Sequence, residues 1–241
     1  MMLPENKKVV RDAASQIKIW VYGEPNIGKT TFANQFPDAL ILNTDGNVKY
    51  IDSPVIPIRP SDNKDPWEVF IAAVEEINKG KHTYKTIVVD LLEDVYQYCR
   101  NYYCKKLKID HEADMGYGKG YDIIRNAFLI VLRMLTNSNY NVVFISHEQV
   151  VTYKDRIGRE MTKYQPNLTD KVATKVAGIM EITGRISILS STDEDGKVTD
   201  ERILYVESTK DQFGGNKVPN LKEPYIKLGY DNLIKAMKGE K

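Results

Sequence analysis

The chain has 241 residues, enough for one large α/β domain or for a domain with an appended lobe. Its 42% apolar and 28% charged residues describe an ordinary globular protein, and a formal net charge of +1 excludes a global attraction to nucleic acid. No apolar run approaches the roughly 18 residues of a membrane span, and the start lacks the apolar core of a signal peptide.

Residues 1–16 read as a polar N-terminal segment, and the core is expected over 17–228, with a short helix or tail at 229–241. Ile17 to Tyr22 reads as the first strand, with Trp20 and Tyr22 alternating against Ile19 and Val21. It leads into Gly23-Glu24-Pro25-Asn26-Ile27-Gly28-Lys29-Thr30, and a helix from Thr31 to Phe36 follows. This is the G-x-x-x-x-G-K-[ST] phosphate-binding pattern in the strand–loop–helix setting that it requires. Backbone N–H groups of such a turn wrap a polyphosphate, Lys29 reaches the β- and γ-phosphates, and the Thr30 hydroxyl holds Mg²⁺. Gly23 through Thr31 are the expected nucleotide contacts, with Gly23 and Gly28 supplying positive φ and close approach.

Ala39 to Leu42 is a short, nearly all-apolar strand ending in Asn43-Thr44-Asp45-Gly46. A Pro-rich connection includes a short strand near Val55–Ile58, and Pro66 opens a helix from Trp67 to Lys79. Thr86 to Val89 is a strand closed by Asp90, and a helix runs on to about Leu107, carrying Cys99 and Cys104. These cysteines have neither metal-ligand nor redox spacing and read as free thiols of a cytoplasmic protein. Lys108–Gly120, with glycines at 116, 118 and 120, reads as a loop, and Ile123–Leu135 as an apolar helix. Asn141 to His147 is the fourth strand, again ending polar. Glu148–Thr169 reads as long and irregular, with a hairpin over Tyr153–Glu160 as the plain alternative. A helix from Asp170 to Ile182 follows, then antiparallel strands at Arg185–Ser190 and Arg202–Ser208 joined by Asp193-Glu194-Asp195-Gly196. A helix at Asp231–Met237 closes the chain.

Strands alternating with helices imply right-handed βαβ units and a mainly parallel sheet with helices on both faces, extended on one edge by the C-terminal antiparallel hairpin. Ligands of such sheets sit at the carboxyl ends of the strands. Asp90, after four apolar strand residues, is placed to coordinate Mg²⁺ through its water shell; its ordinary alternative is a helix cap. Asp45 is the candidate for orienting the attacking water, with Glu93 and Asp94 behind it, although Asp45-Gly46 also suits a plain turn. His147, at the end of the fourth strand, is placed to sense the γ-phosphate.

The order of phosphate loop, Leu40-Ile41-Leu42-Asn43-Thr44-Asp45, Ile87-Val88-Val89-Asp90, Val143-Phe144-Ile145-Ser146-His147 and Thr209-Lys210-Asp211-Gln212-Phe213-Gly214 resembles the RecA-core P-loop ATPases. More narrowly, it is similar to short phage nucleotide-binding proteins that consist of this core, some of them single-strand annealing or recombination-mediator proteins. The resemblance spans about residues 17–215. It implies that Lys29 and Thr30 are the Walker A pair, Asp90 the Walker B aspartate, Asp45 the catalytic acid and His147 the link from γ-phosphate to a DNA loop. Lys210 falls in a motif that reaches across a subunit interface in relatives, where Asp211 and Gln212 here replace Asn and Arg.

The resemblance also puts two DNA-facing loops at Lys108–Gly120 and Glu148–Thr169. The second holds Tyr153, Lys154, Arg156, Arg159, Lys163 and Tyr164, basic residues interleaved with aromatics, which suits a single strand. The expectation is a Mg²⁺-dependent ATPase coupled to single-stranded DNA in phage-type recombination, annealing or replication. With about 16 residues before the core, rings or weak homo-oligomers are expected rather than long filaments. Two other readings are a nucleotide or small-molecule kinase with Arg156 and Arg159 as lid residues, and a non-hydrolysing scaffold. An Asn-Lys-x-Asp guanine reader is missing at the strand ends.

Overall fold

A computed structural model describes residues 12, 14–60, 64–192 and 196–240. The N-terminal segment expected over 1–16 and the Asp193–Asp195 turn lie, for the most part and wholly respectively, outside these residues. The first strand, β1 (Lys18–Gly23), runs through the phosphate loop into a short helix, α1 (Lys29–Ala33), which starts on the loop lysine itself. β2 (Ala39–Asn43) and β3 (Val55–Pro57) follow, then α2 (Pro66–Asn78). Asp65 accepts a hydrogen bond from the Trp67 N–H, and Pro66 occupies the first turn, where a missing N–H costs nothing. β4 (Thr86–Asp90), α3 (Leu92–Leu107), a 3-10 turn (Glu112–Met115) and α4 (Lys119–Thr136) lead to β5 (Asn141–Lys154). After it come β6 (Glu160–Pro166), α5 (Asp170–Ile179), β7 (Ile182–Thr192), β8 (Val198–Tyr205), β9 (Gly215–Asn216), β10 (Tyr225–Lys227) and α6 (Tyr230–Lys238).

The sheet order is β10-β8-β7-β1-β5-β4-β2-β3, and every pair from β7 to β3 is parallel. β8 and β10 extend it antiparallel, as the sequence suggested for the C-terminal hairpin. One strand, β5, separates the phosphate-loop strand from the Asp90 strand.

Side chains of a strand alternate between faces, and here both faces are buried. Trp20, Leu42, Val89 and Phe144 pack with Trp67 and Phe70 of α2, Val95 of α3, Phe128 of α4 and Val176 of α5. Ile19, Val21, Val88 and Ile145 pack on the other side with Phe32 of α1 and Leu233 and Met237 of α6. Helices therefore cover both faces, in an α/β fold of the RecA-like P-loop type.

Three segments differ from the sequence reading. Glu148–Thr169 is not irregular: the hairpin stated as the alternative over Tyr153–Glu160 is present and longer, with β5 continuing past His147 to Lys154 and pairing antiparallel with β6 from Glu148↔Pro166 to Lys154↔Glu160. Lys108–Gly120 is the expected loop apart from the 3-10 turn at Glu112–Met115 and the first residues of α4, and it is tied down. Arg100 Nε donates to the buried Glu112 carboxylate at 2.6 Å, and α4 already begins at Lys119. Gly120 is required there, because a Cβ would lie 2.2 Å from the Glu112 carbonyl oxygen. The helix expected to reach Ile182 ends at Ile179, since Ile182 pairs with Ile19 of β1 and opens β7.

Candidate nucleotide site

Five chain segments meet at the carboxyl edge of the parallel strands. In the phosphate loop the left-handed positions are Asn26 (φ 64) and Gly28 (φ 103). Gly23 serves differently from expectation: a Cβ there would stand 2.6 Å from the Ile186 carbonyl oxygen, so it is fixed by packing against β7. Lys29 is buried, and its Nζ donates to the Gly23 and Glu24 carbonyls at 2.9 and 2.7 Å, which ties the loop to its own lysine. Burial lowers the Lys29 pKa, opposed by Asp90, Glu93, Glu148 and Asp45.

Thr30 Oγ1 donates to Asp90 Oδ2 at 2.7 Å, so the hydroxyl and carboxylate expected to share a metal are side by side. Burial pushes the Asp90 carboxyl up to about 6, opposed by that hydrogen bond. An all-oxygen pair of this kind, beside space for phosphates, fits Mg²⁺, which takes one or two carboxylates and completes its shell with phosphate and water. Among the described residues no group of three or more His, Cys, Asp or Glu forms a closed metal cage. The donor set thus suits a metal that arrives with a nucleotide.

Asp45 follows β2, and a short local network holds it. Its Oδ1 accepts from Asn43 Nδ2 and Asn47 N at 2.8 and 3.0 Å, and its Oδ2 accepts from Asn47 Nδ2 at 2.8 Å. Partial burial works against ionisation, yet these bonds keep its pKa below the usual value. It is therefore both the turn residue and an ionised carboxylate at the site. Thr44 bridges α3 and β4, donating to Asp94 Oδ2 at 2.6 Å and accepting from the Leu91 N–H at 2.9 Å.

His147 stands opposite. Glu93 Oε1, on the first turn of α3, accepts from the His147 N–H at 2.8 Å and lies 3.1 Å from its Nδ1. The sequence reading held Glu93 only as a substitute for Asp45; its contact with a residue 54 positions away carries no local signal.

Two cavities flank the loop. One of about 570 Å³ is lined by Lys29, Thr30, Asp45, Asp90, His147 and the added Lys49–Ile51 strap. The other, about 780 Å³, lies between Asn26, Thr31 and Gln35 on one side and Asp200–Arg202, Lys227 and Leu228 on the other. Lys210 lines neither. Its carbonyl accepts from the Tyr153 hydroxyl at 2.8 Å, so its segment belongs to the hairpin.

The six candidate DNA residues are divided by the hairpin. Directly paired residues share a face, which puts Tyr153 with Met161 and Lys163 with Val151 on one side, and Lys154 and Tyr164 on the other. Arg156 and Arg159 occupy the turn, where Asp155 accepts from Ile157 N and Arg159 N, both at 2.9 Å. Arg159 Nε also bonds Asp155 at 3.0 Å. Tyr164 is engaged internally: the Arg185 guanidinium stacks 3.8 Å from its ring centroid. Lys154 and Arg156 form no ion pair among the described residues. No helix among the described residues is long and apolar enough to cross a membrane.

The family model AAA_24, described as an AAA domain, matches residues 15–218. The chain matches no curated protein. Among solved structures it is similar to the flagellar accessory protein FlaH from Methanocaldococcus jannaschii, at 12% identity and a TM-score of 0.40, over 88% of this chain and 84% of that one. The phosphate loop, its metal-type Thr30–Asp90 pair and the family match over most of the chain make this protein a member of the AAA_24 family of AAA domains, a nucleotide-binding ATPase fold.

Proposed function

We propose that the protein is a Mg²⁺-dependent ATPase that works on single-stranded DNA as a homo-oligomer, in recombination, annealing or replication of the phage type. The observation that carries this reading is β5: one strand bears His147 at the phosphate cavity and continues into the basic hairpin.

In this reading the triphosphate lies along the phosphate loop with its terminal end in the Asp45–His147 cavity and its nucleoside in the larger cavity beside β8. Thr30 and Asp90 would hold Mg²⁺, which when bound would supply positive charge to the phosphates. Lys29 leaves its two carbonyl partners for the phosphates. Asp45, held ionised by Asn43 and Asn47, orients a water for in-line attack. The water oxygen bonds to the terminal phosphorus as the bridging P–O bond breaks; ADP departs and the proton leaves through Asp45 to solvent. Lys210 acts on the site of a neighbouring protomer. Lys154 and Arg156 track the DNA backbone, and Tyr153, about one-third exposed, offers a ring for a base.

The test is phosphate release from ATP with and without oligo(dT), together with DNA binding at low salt. Slow hydrolysis that oligo(dT) raises and Lys29→Ala abolishes is the expected outcome. Absence of hydrolysis overturns the ATPase reading, and DNA binding indifferent to nucleotide overturns the coupling.

A further inference from the structure

Resting on the reading of the smaller cavity as the seat of the terminal phosphate and of His147 as the residue that senses it, we propose that Glu93 is the positioning residue that aims the ring and leaves Nε2 to donate to that phosphate. The contact is a positive donor supplied by the same protomer that binds the nucleotide.

Glu93 is built for this seat. Its Oε1 takes both the main-chain N–H and the ring Nδ1 of His147, and its Oε2 is buried with no hydrogen-bond partner among the described residues. A buried carboxylate with one oxygen committed to an imidazole fixes which ring nitrogen faces away. With Nδ1 toward Glu93, Nε2 is the nitrogen left for a ligand, and the ring lines the cavity with Lys29, Thr30, Asp45 and Asp90. The cavity needs such a donor. Asp45 and Asp90 bring negative charge to it, and Lys29, even once it leaves its two carbonyls for the phosphates, is a single side-chain cation against them. A terminal phosphate gathers charge on its equatorial oxygens as it transfers, so a fixed cationic donor there favours the transition state over the ground state.

The charged form of the ring is the one that the surroundings favour. The hydrogen bond to Glu93 raises the His147 pKa, against burial and Lys29 and with Asp90. Asp45 and Asp94 also face the ring. The imidazolium keeps its proton through the reaction. The contribution of His147 to activity is therefore full below the pKa of the ring and falls as pH rises through it, with the fall above the ordinary histidine value of about 6.5.

The experiment measures kcat, nucleotide affinity with a fluorescent ATP analogue, and thermal unfolding for wild type, Glu93→Gln, His147→Gln, the double variant and His147→Lys. Glu93→Gln retains the shape and an acceptor for the His147 N–H, yet removes the charge that holds the imidazolium. We expect each single Gln variant to lower kcat ten- to a hundredfold with nucleotide affinity within about threefold. The double variant falls no further than the worse single. The alkaline fall in kcat moves to lower pH in Glu93→Gln, and His147→Lys recovers most of the rate lost in His147→Gln. Unchanged kcat and pH profile in folded Glu93→Gln overturn the proposal, as does equal loss in His147→Lys and His147→Gln. No hydrolysis by wild type defeats the ATPase reading and this inference together; normal hydrolysis in the variants defeats this inference alone.

Discussion

Two hairpins leave the carboxyl edge of the sheet on the strands that flank β1, and they differ in charge and in anchoring. Between residues 153 and 164 the β5–β6 hairpin has four basic and two acidic residues; between 186 and 203 the β7–β8 hairpin has five acidic and two basic. The root of the first is deeply tied. Glu148 receives both Nε and Nη2 of Arg185 at 2.9 and 3.2 Å, with both side chains largely buried. The Tyr22 hydroxyl donates to the Phe213 carbonyl beside it. The second is held by surface contacts, such as Ser190 Oγ to Asp200 Oδ1 at 2.6 Å and Lys227 to Glu201 at 2.5 Å. A polyanion that meets this edge is drawn to one side of the phosphate loop and repelled from the other, which in the proposed reading leaves the basic hairpin to the DNA and the acidic one beside the nucleoside.

That contrast breaks most severely at the Glu148–Arg185 pair. Glu148→Ala leaves a buried guanidinium alone and lowers stability by about 3–5 kcal/mol, read by denaturant unfolding, whereas Ser190→Ala on the other hairpin changes it by less than about 0.5 kcal/mol. Next in size, Lys154→Glu with Arg156→Glu weakens binding of oligo(dT) more than about tenfold at low salt. The same pair reduces the slope of log affinity against log salt by about 1.4, the value for two phosphate contacts on a single strand. Asp200→Asn sharpens the comparison from the acidic side: nucleotide affinity rises a few-fold in an equilibrium titration while oligo(dT) affinity stays the same. The smallest effect belongs to Tyr153→Phe, which removes a partly exposed hydrogen bond to Lys210 and costs about 0.5–1 kcal/mol in thermal unfolding.

The parallel core was legible because its strands are nearly pure apolar runs with polar ends, and because Gly28-Lys29-Thr30 needs a strand before it and a helix after it. The outer half of β5 was less so, since Gln149 to Lys154 are only half-buried or exposed and lack an apolar face to reveal their period. Gly23 illustrates a subtler failure. The sequence showed that glycine was needed there, but the reason is the Ile186 carbonyl of a strand more than 160 positions later. The 3-10 turn was hidden likewise, because glycines at 116, 118 and 120 signal a loop unless the Arg100–Glu112 pair and the contact against Gly120 are known. Asp45 and Asp90 were found as strand-end carboxylates. Glu93 was visible only as a neighbour of Asp90, because what distinguishes it is an imidazole brought in by a different strand.

The unbroken course of β5 also sets a reach. Lys154 lies seven positions beyond His147, and at about 3.3 Å per residue the strand advances roughly 23 Å beyond the phosphate cavity. The turn at Asp155–Gly158, with Ile157 exposed at its tip, therefore stands well clear of the nucleotide. A bound strand would not need to thread the catalytic cavity at all, and ADP would have its own way out while the polymer stayed in place. In the proposed reading, coupling between the two ligands would then run along β5 rather than through one ligand blocking the exit of the other.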